Sequence, residues 1–390
     1  MRITLVAAAR PNFMKVAPLM RAIDRHNAGV TNPDLKLDYL LVHTGQHYDY
    51  EMSQVFFEDL GLPAPDIHLG VGSGTHAEQT GRVMIEFEKA LVEERPDLVV
   101  VVGDVNSTLA AALAAAKLHI PVAHVEAGVR TGDPGMPEEV NRLLTDHISD
   151  YLFTTSKYDD DNLKREGIAA GKIHRVGNIM ADSLVMLREA AGRSDVLSRL
   201  GVKDKAYALL TLHRPANVDD RGKLELILAR IAEVSRKIPV VFPAHPRTRK
   251  NLKEFGIDKF EPVIAPDPVI ASAAKQSNLI VTDPLGYRDM LRLEMGARFV
   301  ITDSGGVQVE AAVLGVPCLT VMDYPVWRIT HEAGGNMLVG SDCAGLEREA
   351  ARILKSRPQS KSEPESKSSI PLWDGHTAER IVATLLKSAA

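Results

Sequence analysis

Short apolar runs alternate with longer amphipathic stretches along most of the chain. The first half contains five β-rich runs, each followed by enough residues for a helix, at 3–8, 37–43, 98–102, 122–125 and 151–155. A second series follows at 206–212, 240–243, 279–282, 299–301 and 318–321. Strands that alternate with helices form parallel sheets covered by helices on both faces. The pattern therefore predicts an α/β protein with two doubly wound domains that face each other.

The length of the chain agrees with two domains, because 390 residues exceed one ordinary domain of about 150 residues. We predict an N-terminal domain at 1–180, a hinge or linker helix at 181–204 and a C-terminal domain at 205–370. Residues 371–390 are predicted to contain a closing helix that packs back on the first domain. The Pro- and Ser-rich stretch at 356–369 is typical of a mobile surface loop.

Composition narrows the class of protein. Apolar residues make up 45% and charged residues 25%, and the net charge of −5 argues against a nucleic-acid partner. No apolar run reaches the roughly 18 residues that a membrane span needs, and the chain opens with a strand instead of a signal peptide. The two cysteines, Cys318 and Cys343, are too few for a disulfide framework. We expect a cytoplasmic protein.

Polar residues follow several predicted strands, where ligands bind in doubly wound sheets. Arg10 and Lys15 flank the start of the first helix and suit an anion, although solvation of two surface cations is the alternative. Asp104 follows a run of valines and is either a helix cap or a catalytic carboxylate. Glu126 ends an apolar strand, so burial requires a cation or a shared proton.

Three carboxylates of the first half, Asp104, Glu126 and Glu138, are expected to converge at one sheet edge. Crowded like charges raise one another's pKa, which makes a carboxyl group a usable general acid or base near neutral pH. The alternative is a structural ion network in which Arg130 and Arg142 neutralise these groups.

In the second half, His213 and His245 each follow a predicted strand, in the first loop position from which a side chain reaches a ligand. A single histidine at such a position is more often structural. With two at equivalent strand ends, ligand contact and a structural role stay open as alternatives.

The segment 300–310 changes from strand to helix through Ser304, Gly305 and Gly306. Small residues and the N–H groups of a helix start suit a phosphate. Glu310, one turn into the helix, is placed to accept hydrogen bonds from an attached ribose. The alternative is a simple helix cap formed by Ser304.

Other binding motifs are missing from the sequence. No GxGxxG follows a strand and no GxxxxGK[ST] occurs, which argues against dinucleotide and P-loop sites. His331-Glu332 lacks the second histidine of a zinc helix, so we predict no metal site.

Taken in order, the motifs resemble those of non-hydrolysing UDP-N-acetylglucosamine 2-epimerases. The matching segments are Ala9-Arg10-Pro11, Lys15-Val16-Ala17-Pro18-Leu19, Thr44-Gly45-Gln46-His47, Gly103-Asp104, His124-Val125-Glu126-Ala127-Gly128, Pro137-Glu138-Glu139 with Asn141-Arg142, His213-Arg214, Thr302-Asp303-Ser304-Gly305-Gly306 with Gln308 and Glu310, and Leu372-Trp373-Asp374-Gly375. The resemblance implies two Rossmann-like domains of glycosyltransferase-B type around a central cleft that holds the active site, and a homodimer.

The resemblance also implies a reaction. UDP-N-acetylglucosamine and UDP-N-acetylmannosamine interconvert when the C2 proton is removed, UDP leaves C1, and both return to the 2-acetamidoglucal with opposite C2 configuration. The product serves cell-surface polysaccharide synthesis, and neither a redox cofactor nor a metal is needed.

The resemblance assigns roles to individual residues. Asp104, Glu126 and Glu138 become acid/base candidates, with His213 a further candidate near the diphosphate. The family places its phosphate-binding and substrate-binding groups at positions that match Arg10, Lys15, Arg142, His245, Ser304, Gly305, Gly306 and Glu310. Some bacterial members form an allosteric substrate site near Gln46 and His47.

The chain also departs from the family's pattern. The acidic segment expected near 324–330 reads Tyr324-Pro325-Val326-Trp327-Arg328-Ile329-Thr330, and Val309 replaces a common glutamate. Four alternatives therefore stand beside the epimerase: a hydrolysing epimerase that releases N-acetylmannosamine and UDP, an enzyme for another nucleotide sugar, a glycosyltransferase, and a non-catalytic nucleotide-sugar sensor.

Overall fold

A computed structural model describes residues 1–8, 10–45, 61–257, 278–357 and 369–389. The chain divides into two compact units. The first unit comprises Met1–Met186 and Pro371–Ala390, and the second comprises Leu187–Ile370.

Strands and helices alternate through the first unit. Its elements are β1 Arg2–Ala7, α1 Arg10–Gly29, β2 Asp38–His43, β3 Ile67–His68, α2 His76–Glu94, β4 Leu98–Val102, α3 Asn106–Lys117, β5 Val122–Ala127, α4 Pro137–Ile148, β6 Tyr151–Thr154, α5 Lys157–Arg165, β7 Ile173–Arg175 and α6 Ile179–Gly192. The last residues of α6, from Leu187 on, belong to the second unit. Single 3-10 turns lie at Pro33–Leu35 and Ala170–Lys172. The strands form one parallel sheet in the order β3-β2-β1-β4-β5-β6-β7.

The second unit repeats this organisation. Its elements are α7 Val196–Arg199, β8 Ala208–Thr211, α8 Pro215–Val218, α9 Arg221–Ser235, β9 Val240–Pro243, α10 Pro246–Glu254, β10 Leu279–Thr282, α11 Tyr287–Gly296, β11 Phe299–Thr302, α12 Gly305–Leu314, β12 Cys318–Thr320, α13 Arg328–Ala333, β13 Asn336–Leu338 and α14 Leu346–Lys355. Its parallel sheet has the order β10-β9-β8-β11-β12-β13. In both sheets the order of the strands along the chain reverses once, between the first and fourth strand of the unit, as in Rossmann-type sheets.

Local sequence explains where several elements lie. All five residues of β4, Leu98–Val102, are buried, as expected for a central strand covered on both faces. A capping box between Thr75 and Glu78 starts α2. Gly315 ends α12 in the left-handed conformation, with φ at 66°.

The last helix, α15 Thr377–Ala389, belongs to the first unit. It packs against α1, where Arg25 and Glu379 form an ion pair of 2.8 Å. The N–H groups of Thr377 and Ala378 donate to the Asp182 carboxylate at 3.2 and 2.8 Å. Just before this helix, the indole N–H of the buried Trp373 donates to the Thr155 carbonyl at 3.0 Å. These bonds hold the end of the chain on the first unit.

The predicted fold class, α/β with two Rossmann-like doubly wound domains, is confirmed. The predicted list of strands missed three short ones, β3, β7 and β13. Each forms an edge of its sheet and has two or three residues, too few to make an apolar run. Within the described ranges, every helix is too short or too polar to cross a lipid bilayer.

Two predictions fall on other parts of the chain. Gln46 and His47 lie outside the described residues, and so does most of the segment predicted as a surface loop, from 358 to 368.

Candidate functional site

The strand order places a crevice for ligands in each unit. Between β1 and β4 in the first unit, and between β8 and β11 in the second, neighbouring strands send their following helices to opposite faces. Polar side chains collect at the carboxyl ends of these strands. We describe the two clusters separately as the carboxylate edge and the cradle edge.

The carboxylate edge contains a buried ion pair between Lys15 and Glu126, whose Nζ and Oε2 atoms are 2.7 Å apart. Glu126 has a φ of 77°, which is unusual for a residue with a side chain, and the pairing of β5 with β6 shifts register here. Such an irregularity re-aims a side chain at the end of a strand. The prediction that Glu126 needs a cation is confirmed, since Lys15 provides it.

Close contacts tie the ends of β1 and β4 together at this edge. The buried Asn12 side chain accepts from the Ala8 N–H at 3.3 Å and donates to the Val102 carbonyl at 3.0 Å. Gly103 has a φ of 68°, and a Cβ there would lie 2.8 Å from the Lys15 ammonium. The glycine thus leaves room for the lysine to reach Glu126.

Asp104 binds Arg142 and does not cap a helix. Its Oδ2 is 2.5 Å from Arg142 Nη1, whereas the N-cap of α3 is Val105, which has no side-chain capping bond. The helix-cap interpretation of Asp104 is therefore wrong. Asn141, beside Arg142 on α4, donates to the Asp104 carbonyl at 2.9 Å and fixes the backbone of this loop.

Glu139 lies behind Arg142 and was missed by the sequence analysis as a site residue. It is buried, its Oε2 is 2.9 Å from Arg142 Nη2, and it accepts from the N–H groups of Thr131 and Gly132. Burial acts to raise the pKa of Glu139, but these N–H donors and Arg142 outweigh it and hold that pKa below its usual value. The neighbouring Glu138, the predicted acid/base residue, is exposed on the first turn of α4.

The structure brings together two of the three predicted carboxylates. Asp104 follows β4 and Glu126 lies near the end of β5, the neighbouring strand in the sheet, and each has its own cation. Of the arginines in the alternative ion network, Arg142 takes part at this edge, whereas Arg130 pairs with Asp146 and Glu166, both at 2.7 Å.

In the second unit, the cradle edge is built on Asp303, which is buried at the end of β11. Its carboxylate accepts from the backbone N–H groups of His213 at 3.1 Å and Arg214 at 3.0 Å, and from the Asn217 amide at 3.1 Å. His213 Nδ1 lies 3.0 Å from the same carboxylate. Burial acts to raise the pKa of Asp303, but His213 and these donors outweigh it and hold that pKa below its usual value. Asp303 therefore orients the His213 ring and was missed as a site residue.

His245 lies beside His213, with ring centroids 5.6 Å apart. Its Nδ1 accepts from the Arg247 N–H at 3.2 Å and caps α10. Each histidine thus has a ring nitrogen engaged within the protein. Ligand contact by either histidine stays a prediction.

The start of α12 has the small side chains that the sequence predicted. Ser304 occupies the N-cap, but its side chain makes no capping bond, so the simple-cap interpretation is wrong. A Cβ on Gly305 would lie 3.4 Å from Trp327 Nε1, and one on Gly306 would lie 3.9 Å from Ser304 Oγ. Both distances are ordinary contacts, so the folded chain itself does not require glycine at either position.

Glu310 is buried deeper along α12. It accepts a hydrogen bond of 2.6 Å from the Tyr287 hydroxyl, and burial raises its pKa to about 7. Burial and the neighbouring Glu310 carboxyl raise the pKa of Glu294 well above its usual value. The two carboxyl groups thus retain protons where an exposed glutamate has lost its own. Ribose binding by Glu310 stays a prediction.

The segment that departs from the family's pattern begins α13. Trp327 is its buried N-cap, and Arg328 is exposed and pairs with Glu332 on the same helix at 3.1 Å. Arg10, the remaining predicted binding residue, begins α1, and its side chain lies outside the described part of the chain.

Comparison with known proteins identifies the family of this chain. The family model described as UDP-N-acetylglucosamine 2-epimerase matches residues 31–386. The UDP-N-acetylglucosamine 2-epimerase of Methanocaldococcus jannaschii is 40% identical over 391 residues, 99% of each chain. A Pseudomonas aeruginosa protein, UDP-2,3-diacetamido-2,3-dideoxy-D-glucuronate 2-epimerase, is 41% identical over 345 residues, 87% of this chain and 89% of that protein.

A solved structure agrees over the whole length. The crystal structure of the M. jannaschii enzyme in complex with UDP-GlcNAc and UDP matches with a TM-score of 0.84 at 40% identity, covering 99% of this chain and 100% of that chain. With a family model that matches most of the chain and relatives at this identity, the conclusion is direct. The chain belongs to the UDP-N-acetylglucosamine 2-epimerase family.

Proposed function

We propose that this protein is a non-hydrolysing UDP-N-acetylglucosamine 2-epimerase that interconverts UDP-N-acetylglucosamine and UDP-N-acetylmannosamine. The observation that carries the proposal is the carboxylate edge. There, Asp104 and Glu126 end adjacent strands, and each carboxylate is held by one cation. Family membership gives the reaction class, and this geometry supplies groups that fit its chemistry.

In the proposed reaction, the first unit moves the proton. The C2 hydrogen of the sugar is only weakly acidic, so a carboxylate must remove it while UDP leaves C1. Asp104 and Glu126 are the candidates. Arg142 fixes one oxygen of Asp104, and Lys15 fixes one oxygen of Glu126. Glu138 is exposed on the first turn of α4 and remains a third candidate.

The second unit binds the UDP moiety in this proposal. The first N–H groups of α12 have no partner within the helix, and Gly305 and Gly306 leave them accessible to phosphate oxygens. His213 has Nδ1 directed to Asp303, which leaves Nε2 to donate to a phosphate oxygen. Donors fixed in this way stabilise the negative charge that develops as UDP departs.

The remaining family properties are part of the same proposal. We propose a cytoplasmic homodimer, because the resemblance that carries the reaction also implies this assembly and compartment.

Proton NMR in D2O tests the reaction with UDP-N-acetylglucosamine as substrate. We expect deuterium at C2 and the appearance of the manno epimer, with the UDP linkage retained. Release of free N-acetylmannosamine and UDP would identify a hydrolysing enzyme instead. No exchange at C2 with any UDP-sugar would overturn the proposal.

A second candidate substrate deserves the same assay. The P. aeruginosa relative, named for a diacetamido glucuronate, is as similar to this chain as the UDP-N-acetylglucosamine enzyme is, with 41% against 40% identity. Identity therefore does not separate the two sugars. The ratio of kcat/KM for the two UDP-sugars decides between them, and a higher value for the diacetamido uronate would replace the first substrate.

A further inference from the structure

A completely buried histidine lies beneath the carboxylate edge. His124 is in β5, two residues before Glu126, and its ring has 0% exposure. Its Nδ1 is 2.7 Å from Asp146 Oδ1, and its Nε2 is 2.8 Å from the Gly103 carbonyl oxygen. Both ring nitrogens are therefore within hydrogen-bond distance of an oxygen.

The partners of His124 fix the orientation of its ring. A carbonyl oxygen only accepts, so Nε2 carries a proton that it donates to Gly103. Asp146 accepts from the Gly128 N–H at 3.0 Å and pairs with Arg130 at 2.7 Å. Burial acts to raise the pKa of Asp146, but His124 and Arg130 outweigh it and hold that pKa below its usual value. The Asp146 carboxylate is thus held by three groups, the Gly128 N–H, Arg130 and His124 Nδ1.

The two hydrogen bonds reach the backbone on both sides of the proposed chemistry. The Gly103 carbonyl, which accepts from His124, immediately precedes Asp104. The Gly128 N–H, which donates to Asp146, follows Glu126 by two residues. One buried pair of side chains therefore connects the backbone next to Asp104 with the backbone next to Glu126.

We propose that His124 and Asp146 are positioning residues that set the distance and direction of Asp104 and Glu126 toward the sugar. They act through the backbone of Gly103 and Gly128 and do not touch the substrate. The inference rests on the proposed function, because it assumes that these two carboxylates move the C2 proton. Small displacements of acid/base groups lower rates strongly, by as much as about 100-fold for about 1 Å.

Two substitutions separate the two arms of the pair. His124→Gln places an amide N–H near the former Nε2 and keeps the donor to Gly103, but it loses the donor to Asp146. His124→Asn places the amide near the former Nδ1 and keeps the opposite arm. We expect each variant to lower kcat by about 10-fold to 100-fold, because each leaves one loop unfixed.

The KM for the UDP-sugar is expected to stay within about 2-fold in both variants, since the proposed UDP contacts belong to the second unit. His147→Gln is the matched control, because His147 is exposed on the same helix as Asp146 and its ring bonds to the Leu143 carbonyl of that helix. A rise in KM with unchanged kcat, or wild-type kcat in both His124 variants, would overturn the positioning role.

Nitrogen-15 NMR of labelled wild-type protein at pH 7.5 tests the geometry without any variant. We expect His124 Nε2 to carry a proton that is hydrogen-bonded to the Gly103 carbonyl, and an Nε2 without a proton would overturn the inference. The failures are distinguishable: absent C2 exchange in the wild type removes the proposed function, whereas exchange at wild-type rates in the His124 variants removes only the positioning pair.

Discussion

The two units share one strand order, but their ligand-binding edges are built differently. At the carboxylate edge, charged side chains are buried as ion pairs, such as Lys15 with Glu126 at 2.7 Å. At the cradle edge, the protein presents a helix start with small residues, and its buried Glu310 is bonded to the Tyr287 hydroxyl. The same topology thus gives each unit a crevice at its strand ends, and the side chains at the two edges differ in their chemistry.

The glycines of the two edges also differ in whether the fold requires them. At the carboxylate edge, Gly128 has a φ of 80° and a Cβ there would lie 2.6 Å from the Asp159 carbonyl oxygen. That glycine is required by the fold. Gly305 and Gly306 at the cradle edge have room for a methyl group, so the reason for glycine there lies outside the folded chain.

The largest expected effect comes from the two carboxylates of the carboxylate edge. Asp104→Asn and Glu126→Gln should each lower turnover by about 100-fold to 10,000-fold, because each removes a general acid or base. Turnover is measured by the D2O assay, and UDP affinity by calorimetry. We expect UDP affinity to be retained, since the carboxylate edge does not contribute to the proposed UDP contacts.

These variants need a control for stability. Glu126→Gln leaves Lys15 buried without its partner, and that alone costs about 3 to 5 kcal/mol. Asp104 has a side chain 27% exposed, so Asp104→Asn reports on chemistry more cleanly. Glu93→Gln, exposed on α2, is the reference substitution. Near-normal turnover in both carboxylate variants would remove them from the chemistry.

A pH effect of intermediate size is expected at the cradle edge. Unfolded Glu310 loses its proton near 4.5, whereas the folded protein retains it to about 7. The folded state therefore binds more protons in this window, and stability falls as pH rises through it, by as much as about 3 kcal/mol. Glu310→Gln cannot titrate, so it should lose less stability between pH 5 and pH 8.

The two tryptophans make this measurement specific to one unit. Trp373 belongs to the first unit and Trp327 to the second, so Trp373→Phe leaves Trp327 fluorescence as a reporter of the second unit alone. Urea unfolding of this background, with and without Glu310→Gln, gives the difference at each pH. An identical pH dependence of the two proteins would show that Glu310 is not the titrating group.

The smallest effect is expected from the cradle glycines. Gly305→Ala and Gly306→Ala should leave the free energy of unfolding unchanged or raise it by up to about 1 kcal/mol, because alanine is the better helix former. UDP affinity should fall by about 10-fold, because the methyl group keeps phosphate oxygens from the helix start.

Gly128→Ala provides the contrast for the glycine variants, since a clash and a strained φ should lower its stability by about 1 to 3 kcal/mol. Thermal unfolding and calorimetry with UDP measure the two quantities. Unchanged UDP affinity in both cradle variants would separate the glycines from phosphate binding.

Strands were predictable from the sequence where an apolar run stands out from its polar neighbours. The valine-rich β4 is buried on both faces, and such a strand is visible as an apolar run. The edge strands β3, β7 and β13 have neighbours on one side only and few apolar residues. Their extended conformation is imposed by pairing with the adjacent strand, which the sequence does not display.

Site residues divide in the same way. Asp104, Glu126 and His213 follow strands, so their positions in the sequence marked them as candidates. Glu139 and Asp303 gain their importance from Arg142 and His213, which are their partners in space. Glu138 and Glu139 are adjacent in sequence, but they lie on different faces of α4. The packing of that helix leaves the first exposed and buries the second.

The sequence by itself determined two doubly wound domains, the strand ends that carry polar groups, and membership of an epimerase family. Those properties are local or periodic, because they depend on runs of residues and on ordered motifs. The tertiary structure decided which charge meets which. It paired Lys15 with Glu126 and Arg142 with Asp104, and it placed His124 between Gly103 and Asp146. These pairings join residues far apart in sequence, and packing of strands and helices alone brings them within hydrogen-bond distance.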